Sequence, residues 1–302
     1  MDDFLKMCIV IGKYFDNLGW VGAKNRDRNY IPEISFLKKQ KGGVEIMYFW
    51  DDITQYCEGF NSAGVSILGA SLMVLNDEKE IEQRRKKPSK DGQRIKKALE
   101  FPDVKAAAMS LIKSKLTGNT LVFDKDTMYL IEGAQDKNDD NKFKYQVKEI
   151  PHDQTVVRTN HGIWMPWAGY QRGDNEAETL SRISSECRRL IAEEIAANAK
   201  YPEDILDGLT VDRTGNGQLN ALRTTTERKK MRTTSQILVV PEESTMYVRP
   251  VQSHMKFDFW DLNNPKQQTW VEILSNRVLY NKIKDDDPKN DPPYAHMNHE
   301  IE

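Results

Sequence analysis

No stretch of these 302 residues is apolar enough for long enough to span a bilayer, which takes about 20 consecutive apolar residues. Cysteine is scarce. Cys8, Cys57 and Cys187 are an odd number, far apart and without a C-x-x-C pair, which excludes a disulfide framework and a zinc pattern. Charge of one sign is missing too: 44 basic against 46 acidic residues argue against a protein whose main task is wrapping nucleic acid. The glycine-containing TGNGQ (214–218) lacks the lysine and the spacing of a phosphate loop. HMNHE (296–300) has ligand-type residues but sits in a polar tail, so the expectation is no metal. The leader MDDFLKM (1–7) is acidic and too short for a secretory signal, which predicts a cytoplasmic protein.

What is present is a charged, moderately apolar chain, with 30% charged and 38% hydrophobic residues, long enough to bury a sizeable core in one large domain or two ordinary ones. CIVIGKYF (8–15), the turn residues DNLG (16–19) and WVGAKN (20–25) predict a hairpin. VEIMYFW (44–50) reads as a buried strand, and GFNSAGVSILGASLMVL (59–75) as a turn rising into a long apolar strand. NDEKEIEQRRKKPSKDGQ (76–93) is charged without core positions and reads as a loop or exposed insertion. DVKAAAMSLIKSK after Pro102 has helical spacing, and TLVFDKDTMYLIEG (120–133) reads as strand, turn and strand.

The clearest helix is 175–199, where Leu180, Ile183, Cys187, Leu190, Ile191 and Ile195 form one stripe and Asn175 with Glu178 fits a capping box. A short helix follows at 201–209, and SQILVVP with TMYVRPV makes a second hairpin. From Lys282 the chain is rich in proline and polar residues and is expected to be disordered. Strands come first, helices cluster in the middle and strands return, which predicts an α+β protein with antiparallel sheets.

One constellation carries chemistry. Cys8 heads an apolar strand, and Asn25-Arg26-Asp27 follows on the next, with Asp27 nineteen residues beyond the cysteine. Together with GFNSAGVSILGASL (59–72), VVRTNHGIW (156–164), TGNTLVFDKDTMYLIEG (117–133) and the RTTSQILVVP strand entry, this resembles the choloylglycine hydrolase and penicillin V acylase group of N-terminal-nucleophile (Ntn) hydrolases. The matches spread over residues 7 to 250.

The resemblance implies an αββα sandwich of two antiparallel sheets between helical layers. It implies a leader or propeptide over 1–7, one catalytic domain over 8–281 and a polar tail over 282–302. The implied activity is hydrolysis of a linear amide C–N bond through a Cys8 thioester, without cofactor or metal, on a small-molecule amide. Self-association and an acyltransferase variant stay open.

By the same resemblance Cys8 is the nucleophile and Asp27 anchors its freed ammonium. Lys24 stands where the family has arginine, supplying charge without the planar fork. Asn160 is the oxyanion donor, and Ser71 stands where the family carries Asn or Tyr near the oxyanion. A later arginine belongs to the site; Arg223, Arg228 and Arg232 compete for it, and Arg232 is favoured by its position before TTSQ.

Each residue also has an ordinary reading. A cysteine in an apolar strand usually fills a core. Asn25-Arg26-Asp27 and Asn160-His161-Gly162 can be polar turns, with His161 a loop histidine. Cys57 and Cys187 read as core residues. RRKK (84–87) and ERKKMR (227–232) read as solvated faces apart from Arg232, and the aromatics of WMPWAGYQRG (164–173) as core or pocket wall. Asn25-Arg26-Asp27 is similar as well to the Asn-Arg-Asp-Glu proteins linked to Golgi organisation, with Arg28 in place of the Glu, so a non-catalytic binding or carrier role is the rival.

Overall fold

Two β-sheets face each other across an apolar interior in the computed structural model, and a pair of helices covers each outer face. The structure describes residues 6–28, 32–72, 90–136, 139–169, 176–224 and 231–250, with the short segments 256–257, 271–274 and 284–285. The charged stretch up to residue 89, Asn175, Arg228, HMNHE and most of the expected leader and tail lie outside the described residues.

In chain order the strands are β1 (Lys6–Phe15), β2 (Gly19–Arg28), β3 (Glu33–Lys41), β4 (Val44–Asp51), β5 (Tyr56–Asn61) and β6 (Ser66–Ala70). Helices α1 (Asp91–Ala98) and α2 (Val104–Lys113) follow, then β7 (Gly118–Phe123), β8 (Met128–Asp136), β9 (Asp139–Glu149) and β10 (Val156–Arg158). After α3 (Glu176–Asn198) and α4 (Pro202–Gly208) come β11 (Arg232–Val240) and β12 (Thr245–Pro250), with the short β13 (Lys256–Phe257), β14 (Val271–Leu274) and β15 (Lys284–Asp285).

The first sheet has the order β10-β1-β2-β11-β12-β14, the second β13-β3-β4-β5-β6-β7-β8-β9. Every pairing is antiparallel except the two short parallel additions of β13 and β15 to β3.

Period-two alternation assigns the layers. Cys8 and Val10 of β1 join Phe49, Phe60, Leu68, Phe123 and Leu130 in the core between the sheets. Ile9 and Ile11 point the other way, onto Ala192, Ile195 and Ala196 of α3 and Ile205 and Leu206 of α4. On the far side, Ile46, Tyr48 and Ile67 pack against Ile95 of α1 and Ala107, Ala108 and Leu111 of α2. The order of layers is therefore α/β/β/α, an α+β sandwich.

Gly12 and Gly22 face each other across β1 and β2. A Cβ on Gly12 would sit 2.4 Å from the Met128 sulfur, and one on Gly22 2.3 Å from the Phe123 ring. The missing side chains let the second sheet press its larger residues into the first.

Local signals explain most elements. Asp103 caps α2 by accepting from the Ala106 N–H at 2.7 Å. The 16–18 turn closes with Leu18 N donating to Phe15 O at 3.0 Å.

Three expectations change. The strand expected to continue to residue 75 ends at Ala70, where Ser71 leaves the sheet. Residues 91–93 are not loop but the start of α1, which buries Gly92 and Ile95. The buried face of α3 is Ser184, Ser185, Arg188, Ala192, Ile195 and Ala196, while Ile183 and Leu190 of the predicted stripe are 46% and 56% exposed. That face covers buried polar groups of β2 and of the 159–161 segment, so polar and small residues displaced the aliphatic ones.

Candidate functional site

β2 carries the site on two faces. Its even positions, Lys24, Arg26 and Arg28, point between the sheets; its odd positions, Asn25 and Asp27, point at the helical layer. All five are fully buried.

On the inner face, the Lys24 ammonium is held by the Glu58 carboxylate and by Gly69 O at 2.5 Å. Arg26 donates to Asp51 at 3.2 Å, reaches Glu58 at 3.4 Å and lies 4.4 Å from the centre of the Phe49 ring. Arg28 bonds the Asp27 carbonyl at 2.7 Å and approaches Asp51 at 3.5 Å. Its Nη1 also lies 3.5 Å from the Cys8 sulfur. Each of these cations has a carboxylate beside it, which offsets part of the cost of placing charge this deep.

The Cys8 thiol is 2% exposed. Burial pushes its pKa up, but the positive charges of Lys24 and Arg28 outweigh it, and the thiol is held below its ordinary value. Cys57 gives the contrast. Burial and Glu58 drive its thiol far up, and its S–H donates to Gly92 O at 3.2 Å. The two cysteines share burial; beside Cys57 the cations Lys96 and Arg26 do not offset burial and Glu58, whereas beside Cys8 Lys24 and Arg28 do.

On the outer face, Asp27 is clamped by Arg188 of α3, by Arg223 at 3.5 Å and by the Thr233 hydroxyl, which donates at 2.7 Å. Burial and the neighbouring Arg188 pull the Arg223 pKa down to about 9. Asn25 is a structural tie: its amide donates to Leu209 O and Ala221 O at 3.3 and 3.1 Å and accepts from Gln236 at 2.9 Å.

Beyond β10, Asn160 Oδ1 accepts from the Cys8 N–H at 3.1 Å, while its Nδ2 donates to Ser71 O at 2.6 Å. The structure thus brings Cys8, Asn160 and Ser71 to one place, with Lys24 and Asp27 on β2 beside it. Of the two candidate arginines among the described residues, Arg223 and Arg232, Arg223 is the one that reaches Asp27. Arg232 is part-buried, stands opposite Arg28 in the β2–β11 register, and loses basicity through burial.

Four positioning groups escaped the sequence reading. Arg188 is one, hidden because a buried arginine breaks an apolar stripe. Asn119 donates to Thr159 O and His161 O, both at 3.0 Å, and fixes the backbone on either side of Asn160. Glu132 accepts from the N–H groups of Ile163, Trp164 and Met165 at 2.9, 3.2 and 2.6 Å, shaping the loop that follows. Glu58 is the fourth, and its position in a strand gave no hint of Lys24.

His161 is a clamp between layers: Nδ1 lies 2.8 Å from the Ser185 hydroxyl and Nε2 2.9 Å from Glu186. Burial lowers its pKa against the pull of Glu186. Among the described residues no group of three or more His, Cys, Asp or Glu could hold a metal ion, and no helix is long and apolar enough to cross a membrane.

Layers and cluster together define a four-layer α+β sandwich with a cation-flanked thiol at the head of an inner strand. The sequence matches no family model and none of the curated proteins compared with it. Among solved structures the chain is similar to penicillin V acylase from Agrobacterium tumefaciens, with TM-score 0.47 and 12% identity over 81% of this chain and 83% of that one. It is also similar to two variants of conjugated bile acid hydrolase from Clostridium perfringens. Their TM-scores are 0.42 and 0.41 and their identities 12% and 13%, over 89% of this chain and 97% of each of those.

Proposed function

We propose that this chain is an amide hydrolase that cleaves a linear amide C–N bond of a small molecule through a Cys8 thioester, with residues 8–281 acting as one catalytic domain. The observation that carries the reading is the Cys8 thiol lying 3.5 Å from Arg28, its pKa lowered despite burial, with Asn160 bonded to its own nitrogen.

In this reading the peptide bond before Cys8 is cut and the α-amine becomes the base. A model α-amine has pKa about 7.7–8.0 and a cysteine about 8.5, so proton transfer from sulfur to nitrogen is nearly balanced. Asn160 Oδ1 orients that nitrogen, and Asp27 supplies the negative field that favours the ammonium. The thiolate attacks the amide carbonyl, and Asn160, one of whose Nδ2 hydrogens is held by Ser71 O, offers the other to the oxyanion. The C–N bond breaks as the ammonium returns its proton to the leaving amine. Water then splits the thioester into acid and thiol. Lys24 and Arg28 favour the thiolate, and Arg232 stands across the β2–β11 register from Arg28.

A non-catalytic carrier role is favoured by a different observation, the 2% exposure of Cys8. One experiment separates the two. Incubation with a panel of p-nitroanilides is followed by intact mass and peptide mapping. The hydrolase reading expects release of p-nitroaniline and an acyl adduct on Cys8, both lost in Cys8→Ser. Unchanged release in Cys8→Ser, or acylation of Cys57 as readily as Cys8, removes Cys8 from the mechanism.

A further inference from the structure

Arg158 is a buried cation that the proposed chemistry does not use. It is 9% exposed and pairs with Val10 on β1, two residues along from Cys8. Val156 packs between the sheets and Val157 toward the helices, so alternation turns Arg158 to the same inner face as Cys8. Diagonal neighbours on adjacent strands lie about 7–8 Å apart. That is the reach of a short acyl chain from the sulfur.

Its partners are few. Nη1 donates to the carbonyl of its own neighbour, Val157, at 3.0 Å, and the guanidinium stacks 4.9 Å from the Trp164 ring centre. Nε is buried without a hydrogen bond, and no carboxylate among the described residues forms an ion pair with Arg158. The nearby carboxylates are committed elsewhere. Glu132 serves three backbone N–H groups, and Glu193 is bonded to Arg189. Burial pulls the Arg158 pKa down to about 10, with Glu132 and Glu193 opposing and Arg189 adding to the fall. A guanidinium buried this far normally has a carboxylate on its planar fork.

We propose that Arg158, stacked on Trp164, receives a carboxylate on the acyl part of the substrate, so that the amides cleaved at Cys8 are monoamides of short dicarboxylic acids. The assignment rests on the reading of Cys8 as nucleophile. Trp164, the ring stacked on the guanidinium, is itself part-buried.

The test is equilibrium binding of glutaric acid monoanilide and of its methyl ester to the Cys8→Ala protein by titration calorimetry. The acid is expected to bind about tenfold or more tightly than the ester, as a desolvated two-point charge pair should. Adding Arg158→Gln should bring the two affinities together. Equal affinities in the Cys8→Ala protein, no binding of either compound, or a preference that survives Arg158→Gln overturns the proposal. If the Gln variant does not fold, phenylglyoxal modification of Arg158, mapped by peptide mass, decides: the acid should protect and the ester should not, and equal protection overturns it. Binding by Cys8→Ala is read without turnover. Acid preference in a protein that never hydrolyses sinks the amidase and spares Arg158; hydrolysis without preference does the reverse.

Discussion

The two faces of β2 solve one problem in opposite ways. Toward the helices, Asn25 and Asp27 are closed into a lattice with Leu209, Ala221, Gln236, Thr233, Arg188 and Arg223, where a carboxylate is answered by cations and a hydroxyl. Toward the other sheet, Lys24, Arg26 and Arg28 are set against Glu58, Asp51 and the sulfur of Cys8. The outer face is a brace that ties α3 and the Arg223 segment to the sheet, and in the proposed chemistry its Asp27 also lends the ammonium a negative field. The inner face keeps positive charge beside a group that can ionise. Alternation alone separates the two roles, so neighbouring residues of one strand should fail in different ways when changed.

The largest expected effect lies at the cysteine that the inner face serves, and is on rate. Asn160→Ala should lower kcat by about 10²–10³, the usual loss of one oxyanion donor, with little change in KM. A change confined to KM, in steady-state assays on a responsive p-nitroanilide, would move Asn160 to substrate binding. Next comes the brace. Asp27→Asn leaves Arg188 and Arg223 buried around a neutral amide and should cost about 3–5 kcal/mol in urea unfolding, the scale for breaking a buried pair. A loss under 1 kcal/mol would mean that the outer lattice is not held by charge.

Lys24→Met removes one of the two cations that lower the Cys8 pKa and should raise it, while costing the brace nothing. An unchanged pKa in a thiol-alkylation titration would contradict the division between the faces. The smallest effect is Asn25→Ala, which removes three hydrogen bonds and should cost about 1–3 kcal/mol in unfolding with no shift of the Cys8 titration.

The Cys8 shift also has a consequence for stability. Its native pKa lies below the ordinary value, so the folded state loses the thiol proton at lower pH than the unfolded chain does. The stabilisation is fully present above the unfolded thiol value and fades as pH falls through the native one. Lys24→Met should flatten that dependence.

Much of this was legible in the residues. Short apolar and β-branched runs marked β1, β2, β4, β7, β8, β11 and β12, and turn residues marked the hairpin at 16–19, because both signals are local. The segment around Asn160 was found by its resemblance, and it lies beside Cys8, bonded to the cysteine nitrogen. Arg188, Glu58, Asn119 and Glu132 were not legible. Each acts on a residue far away in the chain, and a buried ion pair leaves no period for a pattern to follow. The stripe on α3 misled for the same reason: Ile183 and Leu190 are the more apolar residues, yet the face that had to meet Asp27 carries Arg188 and Ser185. Arg232 was favoured by position before TTSQ, whereas contact with Asp27 belongs to Arg223.

The central claim is that cations make the Cys8 sulfur an anion where burial alone would keep it neutral. Alkylation by iodoacetamide, followed at each of the three cysteines by peptide mass from pH 5 to 10 on the folded protein, addresses it directly. The account predicts a Cys8 rate that inflects below the ordinary thiol value while Cys57 stays unreacted across the range. A Cys8 rate that inflects at or above the ordinary value, or that appears only together with Cys57 on unfolding, would contradict it.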